Sequence, residues 1–167
     1  VTGSNARFLS SNVRTEFAGR GDEIRLHPLS FSEFCSIKGD DKTLNLREYM
    51  IYGGMPQVVL RETEKEKSEV LKALFLRTYI RDIVERYNVK NTDTLDELLD
   101  IVASSIGGLT NPTKLCNTFE SVKHEKVNRM TITSYLGYLC ESFLIERSSQ
   151  YDIKGKKYID SPYKYYF

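Results

Sequence analysis

The sequence predicts a mainly α-helical chain with a small β component, and three observations carry that expectation. Residues 41–90 repeat apolar side chains at the 3.6-residue spacing of amphipathic helices. Residues 91–160 hold three helical segments with start and stop signals, followed by a hairpin, which is the order of a winged helix-turn-helix with a β-hairpin wing. Residues 1–40 read as strand, polar tip, helix, arginine and strand, the end of an α/β layer whose other strands lie outside the chain.

In the first region Val1 and Thr2 form the tail of a strand, Gly3 to Asn5 a turn, and Ala6 to Phe17 a helix with Phe8, Leu9, Val13 and Phe17 on one side. Gly19 ends that helix, Ile24 and Leu26 alternate with charged residues as in a half-buried strand, and Pro28 closes the strand. In the second region Thr43 or Asn45 caps a helix carrying Leu46, Tyr49 and Met50, which stops at Gly53-Gly54-Met55-Pro56. A long helix follows from Glu64 to Tyr87. Val70, Leu71, Leu74, Thr78, Ile83, Val84 and Tyr87 make its apolar stripe. Lys65, Lys67, Arg77, Arg81 and Arg86 make a solvated face, on which Arg81 and Glu85 stand at pairing distance.

The third region opens with Thr94 and Glu97 at capping-box spacing, on a helix whose inner face is Leu95, Leu98, Leu99, Val102 and Ile106 and whose end is Gly107-Gly108. Asn111-Pro112 is an N-cap followed by proline at the first helical position, with Leu115 and Phe119 inward. The last helix turns Ile132, Leu136, Leu139, Cys140 and Phe143 inward. Ile145 to Tyr151 and Tyr158-Ile159 then flank the Lys154-Gly155-Lys156-Lys157 turn. Residues 161–167 are expected to begin a linker or strand into a further domain.

Composition narrows the function classes. The 167 residues are 40% hydrophobic and 28% charged, enough for a packed domain or two small ones. Lys+Arg 24 against Asp+Glu 23 leaves +1, so bulk charge selects neither nucleic acid nor an anionic membrane. Cys35, Cys116 and Cys140 share no metal-ligand spacing and sit among apolar neighbours, as reduced thiols of a cytoplasmic protein do. His27 and His124 stand alone. No signal peptide and no apolar run near the ~18 residues of a membrane span occurs, so a soluble protein is expected.

The runs VTGSNARFLSSNVRTEFAGRGDEIRLHPLSFSEF, YGGMPQVV and FLIERSSQYDIKGKKYIDSPYKYYF resemble prokaryotic AAA+-type ATPases that carry a C-terminal nuclease-like domain of unknown function. The resemblance covers nearly the whole chain. It implies an internal fragment: residues 1–40 the end of the ATPase core, 41–90 a helical lid, 91–160 the winged helix, and 161–167 the entry to the C-terminal domain. Its partners would be the upstream core and the downstream domain of the same protein, with self-association a further expectation of the family. Nothing in the chain matches G-x-x-x-x-G-K-[ST], and no strand ends in the acidic pair that holds Mg²⁺. ATP and Mg²⁺ are therefore expected in the complete protein, with none bound to this chain alone, which should not hydrolyse ATP.

The resemblance further implies roles for single residues. Asn5, with Ser4 as its near substitute, matches the sensor position at a strand tip, where a polar side chain orients the attacking water or touches the γ-phosphate. Arg20 stands where related ATPases present an arginine finger, an effect that reaches ~10³-fold or more in rate. Gly54-Met55-Pro56 is similar to the lid motif in which proline packs on adenine and glycine allows a turn. The alternative is a stand-alone winged-helix DNA-binding module. The outward residues of its recognition helix would be Arg129, Thr131, Thr133, Ser134, Gly137, Tyr138 and Glu141, a poor base-reading set. Lys154, Lys156 and Lys157 on the wing support only weak, salt-sensitive phosphate binding. An intramolecular role for the module is the favoured reading.

Overall fold

The fold is a computed structural model that describes Ile24, residues 26–149 and residues 162–167. These residues are mainly helical with one small antiparallel sheet. They divide into two compact units, one reaching to Tyr79 and one starting at Ile80.

The first unit begins with Ile24 and Leu26 exposed and outside any strand, so their alternation has no sheet partner among the described residues. The first helix is α1, Phe31–Lys38. It starts with a reciprocal box in the phrase SFSE: the Ser30 hydroxyl accepts from the Glu33 amide, and the Glu33 carboxylate accepts from the Ser30 amide at 2.8 Å. Helix α2, Lys42–Tyr52, is capped by Asp41, whose carboxylate accepts from the Thr43 and Leu44 amides. Neither Thr43 nor Asn45 is the cap, because Asn45 is turned inward and donates to the Gly39 carbonyl at 2.7 Å. The short α3, Pro56–Val59, leads to α4, Glu64–Arg77, which opens with a second box between Thr63 and Glu66. Phe34, Val58 and Val59 are the buried centre, and Tyr49 meets Phe31 and Phe34 edge-on.

Three expectations fail here. Leu46 and Met50 point outward from α2. Lys67, expected on a solvated face, is only 5% exposed. Its ammonium lies 2.8 Å from Glu48 Oε1, which also takes Lys38 at 3.1 Å, and the Tyr52 ring lies below it at 5.4 Å. A long lysine stem fills the gap between α2 and α4 as a hydrocarbon would, and the carboxylate compensates the buried charge. Burial pushes the Glu48 carboxyl up, but the two lysine bonds outweigh that and hold it below its ordinary value. Finally, the single helix expected from Glu64 to Tyr87 is divided, because Thr78–Glu85 winds as a π-helix. The side chain of Arg81, expected to pair with Glu85, lies outside the described residues; Arg86 instead pairs with Asp82 at 3.4 Å.

The second unit packs α5, Thr92–Ser104, α6, Pro112–Lys123, and α7, Arg129–Glu141, around Leu98, Val102, Phe119, Ile132 and Leu139. Asn111 and Pro112 cap and open α6 as expected. The cap of α5 is Asn91, which accepts from the Thr94 amide at 3.1 Å, so Thr94 lies inside the helix and makes no box with Glu97. Ile106, expected inward, is exposed.

After α7 come β1, Glu146–Ser149, and β2, Tyr163–Tyr166, antiparallel with Glu146 opposite Tyr166 and Ser149 opposite Tyr163. Thr110 bridges to Tyr163 through paired backbone bonds of 2.9 and 2.8 Å. The return strand is thus the PYKYYF segment expected to leave toward another domain, whereas Tyr158 and Ile159 lie outside the described residues. Alternation explains the pairing, since Tyr165 turns into the core while Lys164 and Tyr166 face outward.

Candidate functional site

Two groups of predicted site residues fall within the described chain. The first is Gly54-Met55-Pro56, in the unit that ends at Tyr79. Gly53 makes the turn, with φ +71°, and Gly54 is needed for a different reason. Its backbone lies directly against that of Leu29: the Leu29 amide donates to the Gly54 carbonyl at 2.8 Å, and a Cβ on Gly54 would come within 2.1 Å of the Leu29 carbonyl oxygen. The same Leu29 oxygen accepts from the Tyr49 hydroxyl at 2.8 Å. The PLSF and YGGMP phrases are therefore two halves of one backbone junction. Pro56 starts α3 and is exposed.

The second group is the outward face of α7. Arg129, the first residue of α7, is exposed, as are Thr133 and Ser134. Tyr138 and Glu141 are not presented to solvent in the same way. Tyr87 stacks on Tyr138 with ring centroids 3.8 Å apart and 8° between planes, and the Tyr87 hydroxyl donates to the Glu141 carboxylate. Beside the stack, Asn88, Lys90, Met130 and Ser134 border an open depression of about 350 Å³. Below it, the Tyr135 hydroxyl donates to the Asn91 carbonyl at 3.3 Å, and burial pushes the Tyr135 phenol up. Part of the helix face that a DNA reader would lay in a groove is thus already occupied by this chain's own Tyr87.

Sequence reading placed Tyr87 on an apolar stripe and Tyr138 on an exposed face, and missed that they meet. The aromatic character of both positions was the available signal. Ser4, Asn5, Arg20, Lys154, Lys156 and Lys157 lie outside the described residues. Burial pushes the Cys116 and Cys140 thiols up, which leaves them poor nucleophiles. Among the described residues no His/Cys/Asp/Glu group could hold a metal ion, and no helix is long and apolar enough to cross a membrane.

A family model described as a domain of unknown function (DUF8612) matches residues 43–167, and one described as an AAA domain matches residues 1–35. An uncharacterized protein of Haemophilus influenzae is 39% identical over 171 residues, covering 99% of this chain and 42% of its own length. An uncharacterized protein of Methanocaldococcus jannaschii is 27% identical over 168 residues, covering 93% of this chain and 38% of its own length. The chain spans about two fifths of the length of these curated relatives. No solved structure matches.

Proposed function

This chain belongs to the family described as a domain of unknown function (DUF8612), and from that premise we propose that it is the lid and winged-helix portion of an AAA-type ATP-binding protein. In this reading it couples nucleotide state to a C-terminal effector domain in the cytoplasm. The AAA-domain match over the first 35 residues and the greater length of both relatives support it. So does the order of elements in the second unit: a helix, the Thr110 bridge, two helices and two paired strands, with Thr110 and β1 both bonded to β2, as in a winged helix.

The observation that carries the relay role is the cover on α7. A helix that reads DNA keeps its outward side chains free for base edges, whereas here Tyr138 and Glu141 are engaged by Tyr87. Glu141 also adds negative charge where phosphates would approach. The nucleotide fits what the first unit offers only in part. The exposed Pro56 ring would pack on adenine, while Asn5 or Ser4 would meet the γ-phosphate or the attacking water, Arg20 would reach a neighbouring subunit's nucleotide, and Mg²⁺ would be held by the core of the complete protein. A bound nucleotide would supply a phosphoryl group for transfer to water, and the resemblance would have Arg20 stabilise the charge that develops.

The alternative, a stand-alone DNA-binding module, has the exposed Arg129 and the lysines 154, 156 and 157 in its favour. The experiment separates the two. The polypeptide including a phosphate-loop core is expected to hydrolyse ATP, and Arg20→Ala to lower turnover with little loss of ATP affinity. Equal losses in both rule out the finger. Salt-dependent binding of the chain to random duplex DNA at low micromolar concentration overturns the relay reading in favour of the DNA module.

A further inference from the structure

The apolar stripe that begins in α4 falls out of step at one place. From Leu74 to Thr78 is four residues, from Thr78 to Ile83 five, and from Ile83 to Tyr87 four again. The five-residue step coincides with the π-helix at Thr78–Glu85, whose bonds reach one residue further back than those of an α-helix. Such winding usually lasts a single turn, whereas here it is held for eight residues. Both of its ends are α-like. The Thr78 amide donates to the Leu74 carbonyl, four residues back, and the Tyr87 amide to the Ile83 carbonyl, also four back, at 3.0 Å. Just beyond, the Val89 amide donates to Val84 at 3.0 Å and the amide of Asn88, at φ +49°, to Glu85 at 3.3 Å, the paired stop of an ordinary α-helix end. The segment is therefore an α-helix that carries a surplus residue in its middle.

Contacts beyond the surplus residue keep it wound in. Ile83 is fully buried, Tyr87 stacks on Tyr138, and the Tyr87 hydroxyl donates to Glu141. The same sequence also supports the commoner winding, because Phe75, Tyr79, Ile83 and Tyr87 stand four apart, the spacing that an unbroken α-helix brings to one side. Passing from π to α turns one end of the segment against the other by about one residue, roughly 100° about the axis and ~1.5 Å along it. α4 is fixed in the first unit by the Thr63–Glu66 box and by Lys67 between Glu48 and Tyr52, so the turn is taken up at the Tyr87 end. Rings 3.8 Å apart do not stay stacked through such a rotation.

We propose that Thr78–Glu85 is a two-state element: in its π register Tyr87 covers Tyr138 and Glu141, and in its α register Tyr87 leaves that face of α7. A relay needs a part with two discrete arrangements, and this segment supplies one where the chain passes from the unit ending at Tyr79 to the unit starting at Ile80. The use of the switch rests on the relay reading; its two registers do not.

The 167-residue chain tests it without nucleotide. Relaxation-dispersion and exchange-saturation NMR compare the parent with Tyr87→Phe, which keeps the stack and loses the bond to Glu141. Residues 82–89 and Tyr138 are expected to exchange at a common rate, with a minor state of roughly 0.1–10% in the parent that grows about tenfold in Tyr87→Phe. The minor-state Cα shifts at residues 82–87 are expected to be helical. A variant without exchange, a minor population equal to the parent's, a Tyr138 that does not take part, or random-coil minor-state shifts, which mean fraying of a helix end, each overturn the proposal. In the longer protein ATP is expected to change the two populations. A segment that exchanges but whose populations ATP leaves unchanged keeps the switch and removes the relay reading. A longer protein that hydrolyses ATP around a segment with a single register removes the switch and leaves the ATPase reading standing.

Discussion

Gly54→Ala tests the backbone junction that joins the two phrases of the first unit. The added Cβ would sit 2.1 Å from the Leu29 carbonyl oxygen, 3.0 Å from its carbon and 3.1 Å from its nitrogen. A carbon and an oxygen rest near ~3.3 Å, so the two backbones must part by about 1 Å. Neither side can give freely. The Leu29 amide is bonded to the Gly54 carbonyl, and the Leu29 oxygen is held by Tyr49. Overpacking costs about 1–3 kcal/mol and a broken buried hydrogen bond about 1–3 kcal/mol more, for a loss of roughly 2–6 kcal/mol. Gly53→Ala is the control. Nothing lies within 4 Å of its Cβ position, and its φ of +71° with ψ of −169° predicts a purely conformational cost of about 1–3 kcal/mol. Urea unfolding followed by far-UV circular dichroism measures both. A Gly54→Ala chain within about 0.5 kcal/mol of the parent would refute the close approach as the reason for this glycine.

Lys67→Ala removes a buried cation, its stem and one of the two bonds to Glu48, and is expected to cost about 2–4 kcal/mol in the same assay. Because the folded Glu48 carboxyl is held below its unfolded value, its contribution is complete above that unfolded value and disappears as pH falls through the folded one. Acid unfolding of Glu48→Gln is accordingly less steep than that of the parent. Tyr87→Phe keeps the stack on Tyr138 but loses the bond to Glu141, for about 1–2 kcal/mol by thermal unfolding; an unchanged midpoint would show that the bond does not hold Tyr87 in place. Burial raises the Tyr165 phenol to about 12, with the neighbouring Cys140 adding to the shift. Its contribution is complete below the unfolded value near 10 and is lost as pH rises toward 12, so absorbance titration is expected to show one tyrosine ionising last, and Tyr165→Phe to remove that step.

The helical class, the turn at Gly53, the Asn111-Pro112 start of α6 and the inner faces of α5 and α7 were all legible, because caps and 3.6-residue periods act within a few residues of chain. The box at Ser30 and Glu33 is equally legible in SFSE, because both partners lie within one helical turn. Of the site residues, the exposure of Arg129 follows from its place at a helix start, while the backbone of Leu29, which leaves no room for a side chain at Gly54, is brought there by a segment about 25 residues away in sequence.

Tertiary packing decided the remainder. Whether Lys67 lies in water or between helices depends on where Glu48 is carried by α2, and whether Tyr138 is free depends on where the π-helix delivers Tyr87. The strand that pairs with β1 is fixed by Tyr165 finding the core and by Tyr163 finding Thr110. Local preferences say which way a side chain faces along its own element. What it meets is settled only when distant segments close on one another and compete for the same buried space.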